Sequence, residues 1–177
     1  LIIGNDIIDL TEPPPHPRFF QRITSEREKR YFSDSVLMCH QLWAAKEAAF
    51  KAIRQQRTIN FIPAAFQVNS KLNKIRFEDI ELGLHYEQDQ NFLHCLAMPA
   101  SCAGTYRISS SSPSPAAAVR QTLIDLWSDL GNKPITVEQI QKKNGVPQII
   151  AGGSSRGISL THHGSYVAAA ILALPPS

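Results

Sequence analysis

Long hydrophobic runs are missing from this chain. No apolar stretch approaches the roughly 18 residues that a membrane-spanning helix needs, so no such helix and no membrane partner are expected. The opening LIIGNDIIDL is too short and too acidic to predict a signal peptide. Cysteine is scarce: Cys39, Cys95 and Cys102 are an odd, widely spaced set without a CxxC pair. That spacing argues against a disulfide framework and a zinc site, and it makes a reducing cytoplasm the expected setting. Each cysteine then reads as small buried filler. Dense basic clusters are also lacking. No run of adjacent basic residues exceeds two, as at Lys142-Lys143, and no aromatics interleave with the basic stretches, so nucleic acid is not an expected partner. The phosphate loop GxxxxGK[ST], the dinucleotide fingerprint GxGxxG and the nucleophile elbow GxSxG do not occur.

What is present suffices for a packed core. Of 177 residues, 43% are hydrophobic and 19% charged, which fits one ordinary domain or two small ones and excludes a fully disordered chain. The net charge of +3 is unevenly placed. Residues 1–100 balance 12 basic against 12 acidic side chains, whereas residues 101–177 carry 6 against 3. The excess in the second part points to an anionic ligand or an acidic partner.

Residues 2–10 alternate poorly and predict a buried strand, and the prolines of TEPPPHP (11–17) then end regular structure. Ser25 with Glu28 fits a capping box opening a short helix. Residues 36–54, free of Gly and Pro, predict the main helix, capped by Ser33, Asp34 or Ser35. Trp43, Glu47 and Lys51 share one side of it, and Leu42, Ala45, Ala49 and Ile53 form a neighbouring packing face. Residues 61–98 predict a β-meander. SSSSPSP (109–115) reads as a linker or loop between two halves. A second helix follows and closes at Gly131. Residues 135–150 predict strands around a KKNGVP turn, AGGSSRG a hairpin turn, and ISLTHHGSYVAAAILAL a single terminal strand.

Several residues could carry chemistry, and each also has a plain reading. Asp6 sits in an apolar strand, where an acid needs a partner or a cation, but it could simply cap a strand end, as could Asp9. Glu47 and Lys51 are spaced as an ordinary i, i+4 salt bridge. Lys46 is a point charge suited to phosphate. His162 and His163, as adjacent strand residues, should face opposite sides, and either could be a buried, satisfied histidine.

The order of these signals is more telling than any one of them. GNDIIDL at the start, WAAKEAAFKA in the main helix and SLTHH before a small-residue strand together resemble the 4′-phosphopantetheinyl transferases. The helix motif W-x-x-K-E-A-x-x-K is complete from Trp43 to Lys51. RITSEREK (22–29) resembles the segment preceding that helix in the holo-acyl-carrier-protein synthase type, and NGVP (144–147) resembles the family's G-K-P turn. Val146 stands where Lys is usual, and Thr161-His162-His163 where Ser-His-Ser is common. Larger, surfactin-synthetase-activating members carry the G-K-P and S-H-S elements first and the G-x-D and K-E-A elements second. Here the order is reversed, so the chain reads as that two-half enzyme with its halves exchanged; the alternative is a trimeric synthase-type subunit with a long insertion.

The resemblance implies an α+β fold of two packed α/β halves, a pseudo-dimer in which each half combines a helix with a small, mainly antiparallel sheet. Residues 1–104 would hold GND and WxxKEAxxK, residues 105–177 NGVP and THH, with the active site at their junction and no need for a second chain. The implied reaction moves 4′-phosphopantetheine from coenzyme A to a serine of an apo acyl or peptidyl carrier protein, with Mg²⁺, releasing 3′,5′-adenosine bisphosphate. Asp6 and Glu47 are the implied metal ligands; Glu47 and Lys51 are the implied catalytic residues, with either Glu47 or a metal-bound water as the general base. Lys46, Lys51, Lys142, Lys143, Gly145, Pro147, Thr161 and His162 are implied at coenzyme A; Lys46, which projects about 100° around the helix from Glu47, has contact with the neighbouring half as its alternative. Asp9 matches the acid found three positions on in the synthase type, and Glu28 is a candidate accessory acid. Arg18, Arg22 and Arg54 are possible carrier contacts. The rival readings are an inactive coenzyme A- or carrier-binding module, suggested by Val146, and a nucleic-acid-binding protein, suggested by the pI of 8.9 alone.

Overall fold

The computed structural model describes residues 2–151 and 154–173. Its ten strands form two five-stranded antiparallel sheets. The first comprises β1 (Gly4–Asp9), β2 (Gln67–Val68), β3 (Lys74–Phe77), β4 (Ile80–Gln88) and β5 (Phe92–Met98), in the order β1-β5-β4-β3-β2. The second comprises β6 (Gly104–Ser110), β7 (Ile140–Lys143), β8 (Val146–Ala151), β9 (Ser154–His163) and β10 (Tyr166–Leu172), in the order β6-β10-β9-β8-β7. The second order is the first with every number raised by five. Each sheet is therefore built the same way: an opening strand, a long helix, then a four-stranded meander. The fold is α+β with two packed halves, and the repeat exists in topology although no sequence repeat is visible.

Among the described residues three α-helices complete the fold: α1 (Phe19–Ile23), α2 (Val36–Ile53) and α3 (Pro115–Asp129). Ser35 caps α2 by accepting a hydrogen bond from the Met38 N–H. The expected packing face is completely buried, with Leu42, Ala45, Ala49 and Ile53 at most 1% exposed. The small residues of α2 let β1 approach backbone to backbone. A Cβ on Gly4 would lie 1.8 Å from the Ala48 carbonyl oxygen, so only glycine fits there. All six residues of β1 are buried, which explains its poor alternation: it is covered on two sides.

One core joins α2 to the first sheet, and another packs Leu123, Leu126 and Trp127 of α3 on Ile149, Ile158 and Ile171 of the second. A third, smaller cluster joins the sheets through Ile3, Leu96 and Met98 with Ala170 and Leu172. Cys39 and Cys95 are buried and Cys102 half-buried, all free thiols.

The structure departs from the sequence reading in five places. The Ser25–Glu28 capping box opens a single 3-10 turn, Glu28–Arg30, and the short α-helix precedes it as α1. Within FIPAA, Pro63–Ala65 is a 3-10 turn, with strand only from Gln67. β6 was not anticipated. SSSSPSP joins β6 to α3 inside the second half. The terminal run is two strands, because Gly164 takes φ +51° and reverses the chain after His163. The Asn144-Gly145 turn, with φ of 53° and 77°, is the tight hairpin its dipeptide predicts. Gly152 and Gly153 of the expected AGGSSRG hairpin lie outside the described residues.

Candidate active site

The site lies on a polar seam where the outer edge of β1 runs beside β9. Edge strands leave backbone groups unpaired, and here side chains take them up. Gln55 accepts from the Ile3 N–H (3.2 Å) and donates to the carbonyls of Ile3 (2.6 Å) and Ile158 (3.1 Å). Ser159 Oγ accepts from the Asn5 N–H at 2.8 Å, and His163 Nδ1 accepts from the Asp9 N–H at 3.0 Å.

Midway along the seam the ionisable groups converge. Lys51 Nζ donates to Asp6 Oδ1 (2.7 Å), the Asn5 carbonyl (3.2 Å) and Thr161 Oγ1 (3.1 Å), and Thr161 Oγ1 donates to Asp6 Oδ1 at 2.9 Å. Three donors on one ammonium thus meet three acceptors from two strands and both halves. Glu47, one turn before Lys51 on α2, lines the same cleft, and its carboxylate makes no hydrogen bond with any described residue. Burial pushes its carboxyl above the usual range; Lys51 pulls it down and Asp6 pushes it further up.

Two cavities meet at this point, and Lys51, Leu160, Thr161 and His162 line both. One, of about 320 Å³, is cationic: Lys51, Arg54, Arg120, Lys142 and His162 border it, with Gly145, Val146 and Pro147 of the β7–β8 hairpin. The other, of about 520 Å³, holds Asp6, Asp9, Glu12 and Glu47, an apolar wall including Pro13, Phe19 and Trp43, and the imidazoles of His40 and His163. An anion fits the first and a cation beside an apolar group fits the second.

No described cluster of three or more His, Cys, Asp or Glu forms a complete metal cage. Magnesium does not require one, since it is commonly held by one or two carboxylates together with substrate phosphate and water. The pair Asp6 and Glu47 suits such a cation. The Glu47 carboxylate lacks a hydrogen-bond partner among the described residues, and a cation there would relieve both its burial and its repulsion by Asp6.

Of the residues singled out by sequence, the structure brings Asp6, Glu47, Lys51, Gly145, Pro147, Thr161 and His162 to the joined cavities. It does not bring Lys46 or Lys143. Lys46 projects about 100° around α2 from Glu47. It is fully buried there, donating to both Glu28 oxygens (2.9 and 2.8 Å) and to the carbonyls of Pro63 (3.1 Å) and Phe66 (2.7 Å). Glu28, offered as an accessory acid, is its buried partner and also accepts from the Val68 N–H. Lys142 borders the cationic cavity; Lys143, the next residue of β7, is exposed and does not. Arg54, weighed as a carrier contact, lines the cationic cavity instead, while Arg18 and Arg22 are exposed outside both.

His162 and His163 are both exposed, contrary to the buried reading, and both border the acidic cavity although they are neighbours in a strand. The end of β9 forms the rim of the cleft, so its two faces both reach it. Asp9 is 1% exposed. Burial pushes its carboxyl up, but hydrogen bonds from Thr11 and Ser165 outweigh that and hold it below the usual range. Sequence reasoning missed Arg120, Gln55 and Ser159. A cation near the start of an alanine-rich helix was the one available signal for Arg120; nothing local marked the other two.

The family model for the 4′-phosphopantetheinyl transferase superfamily matches residues 2–103, more than half of the chain, and the chain belongs to that superfamily. No curated protein and no solved structure matches it. The matched segment contains Asp6, Glu47 and Lys51. Thr161 and His162 lie outside it and are tied to the same place by the seam geometry. The chain is thus a transferase of the phosphopantetheinyl kind. No helix among the described residues is long and apolar enough to cross a membrane.

Proposed function

We propose that this protein transfers 4′-phosphopantetheine from coenzyme A to a serine hydroxyl of an apo acyl or peptidyl carrier protein, releasing 3′,5′-adenosine bisphosphate. The observation carrying this reading is the position of Lys51, held by Asp6 and Thr161 where a cationic cavity opens into an acidic one. A pyrophosphate lying across that boundary would put its nucleotide among Arg54, Arg120 and Lys142 and its pantetheine arm along the apolar wall of the acidic side. Asp6 and Glu47 would hold Mg²⁺, which supplies charge neutralisation for the pyrophosphate when bound.

In the reaction the serine oxygen forms a bond to the phosphorus that carries pantetheine, and the bond from that phosphorus to the bridging oxygen breaks. Lys51 donates to the departing phosphate and stabilises the charge gathering on it. His162 and the arginines orient the leaving nucleotide. Glu47 is a half-buried carboxylate of the cleft whose oxygens have no described hydrogen-bond partner and whose carboxyl is pushed up by burial, so the serine proton is assigned to it. The nucleophile belongs to the carrier, and this chain needs none of its own.

We read the chain as two units meeting near residue 104, with one site at their junction, so that a monomer suffices. The cytoplasm, where coenzyme A and carrier proteins would be found, is the setting this reading implies. Val146 brings no charge to the nucleotide side, but four cations, Lys51, Arg54, Arg120 and Lys142, border the same cavity, which favours an active enzyme over an inactive binder.

Intact-mass spectrometry tests the proposal. Several apo carrier proteins are incubated with this protein, coenzyme A and Mg²⁺. A gain equal to one phosphopantetheine, abolished by EDTA, is expected. No gain on any carrier, with coenzyme A still bound, would replace the proposal by the inactive binding module.

A further inference from the structure

We infer that Asp9 is a positioning residue, a clamp across the two halves that fixes the strand end carrying Thr161 and His162, and that it is not a metal ligand. Three donors occupy its carboxylate. Oδ1 accepts from the Thr11 N–H (2.9 Å) and the Thr11 hydroxyl (2.6 Å), and Oδ2 accepts from the Ser165 N–H (2.8 Å). Its own N–H donates to His163 Nδ1. One residue of the first half therefore grips the β9–β10 turn at two points, on either side of Gly164. Both of its oxygens are taken by these donors, whereas the hydrogen bonds on Asp6 all fall on Oδ1.

The clamp accounts for two features the reaction itself does not use. His163 must keep Nδ1 unprotonated to accept from Asp9, a task a serine hydroxyl would fill differently. Gly164 must lack a side chain, since a Cβ there would lie 2.4 Å from Asp9 Oδ2, and its φ of +51° separately disfavours any other residue. Thr161 and His162 stand immediately before this gripped turn. Loosening it frees the groups that reach Lys51 and the nucleotide while leaving Asp6 and Glu47 on their own elements.

The functional part of this inference rests on the reading of the cleft as a coenzyme A site; the mechanical part does not. The test compares the wild type with Asp9→Asn and Gly164→Ala. Asn keeps an acceptor for Thr11 but cannot offer a second one to Ser165. Hydrogen exchange of the Ser165 amide should speed up roughly tenfold or more in both variants. In calorimetry with 3′,5′-adenosine bisphosphate and EDTA, both should bind roughly tenfold more weakly. In transfer assays KM for coenzyme A should rise while kcat and the Mg²⁺ concentration for half-maximal rate stay close to wild type. Unchanged Ser165 exchange would overturn the clamp, and a raised Mg²⁺ requirement with unchanged bisphosphate affinity would make Asp9 a ligand after all. If the wild type binds no bisphosphate, the coenzyme A reading fails, and the exchange result alone decides the clamp.

Discussion

Strands β1 and β6 open their sheets in the same topological position and end in different surroundings. Every residue of β1 is buried, pressed between α2 and β9, and its outer edge is taken up by Gln55, Ser159 and His163. β6 is half-exposed along most of its length, and Arg107 and Ser110 are open to solvent. Its side chains reach the other half through Tyr106, which donates to Glu87 and lies against the His94 ring. The chemistry divides in the same way. β1 and α2 supply Asp6, Glu47 and Lys51, whereas β6 has no acid and the acids of α3, Asp125 and Asp129, sit toward its C-terminal end. Two halves with one topology thus contribute unlike parts to one site: acids and a lysine from the first, and from the second a hydroxyl, an imidazole and a cation-lined wall.

The largest expected effect tests that division of labour. Glu47→Gln should lower the transfer rate about 10²–10³-fold with the fold intact, because the Glu47 carboxylate makes no hydrogen bond to a described residue. Asp125→Asn in α3 should leave the rate within about twofold. Rates come from intact-mass time courses, and the fold from circular dichroism.

Stability should be asymmetric as well. The first half encloses the Glu28–Lys46 pair, both side chains 0% exposed, whereas the Arg107–Asp129 pair of the second half is 42% and 60% exposed. Lys46→Met strands a buried carboxylate and should cost about 3–5 kcal/mol in urea denaturation. Adding Glu28→Gln should recover part of that loss. Arg107→Ala should cost about 1 kcal/mol or less.

The glycines that open β1 and β6 offer a matched pair. Gly4→Ala drives a methyl into the backbone of α2 and should cost about 3 kcal/mol or more. Gly104→Ala meets only the ends of the Ile3 and Met98 side chains, at 2.8 Å, and should cost about 1 kcal/mol.

A further effect concerns pH. His94, fully buried between the halves, shares a hydrogen bond with the Asn5 amide, while its Nδ1 and Asn5 Oδ1 are buried without a described partner. Burial, with the nearby Lys51 charge, holds its pKa down to about 3 against 6.5 for an ordinary histidine. The unfolded chain therefore binds the extra proton between those values. The contribution of neutral His94 is fully present above pH 6.5 and falls progressively as the pH drops toward 3. Urea midpoints between pH 7 and 4 should fall less steeply for His94→Gln than for wild type.

What the sequence could show was local. The helix bearing Trp43, Glu47 and Lys51 declares itself by composition and 3.6-residue spacing, and Asn144-Gly145 declares its hairpin. The first half of the site, on two short motifs, was therefore readable. The seam was not, because it joins residues far apart in the chain: Gln55 with Ile158, Asn5 with Ser159, Asp6 with Thr161. Spacing showed that Lys46 leaves Glu47's side of α2; that it meets Glu28 depends on where the 3-10 turn docks. The choice of Lys142 over Lys143 is set by strand register, which one sequence does not fix. The terminal turn was hidden because Gly164 sits within a run of strand-forming residues.

The central claim is that one site draws on both halves, and a double-mutant cycle across the seam tests it most directly. Transfer rates are measured for wild type, Lys51→Met, Thr161→Val and the double variant, with coenzyme A, Mg²⁺ and an apo carrier protein. The account predicts that each single change is costly and that the double variant is far less impaired than the product of the two, a coupling of about 1 kcal/mol or more. Independent effects that simply multiply, or a Thr161→Val enzyme as fast as wild type, would contradict it.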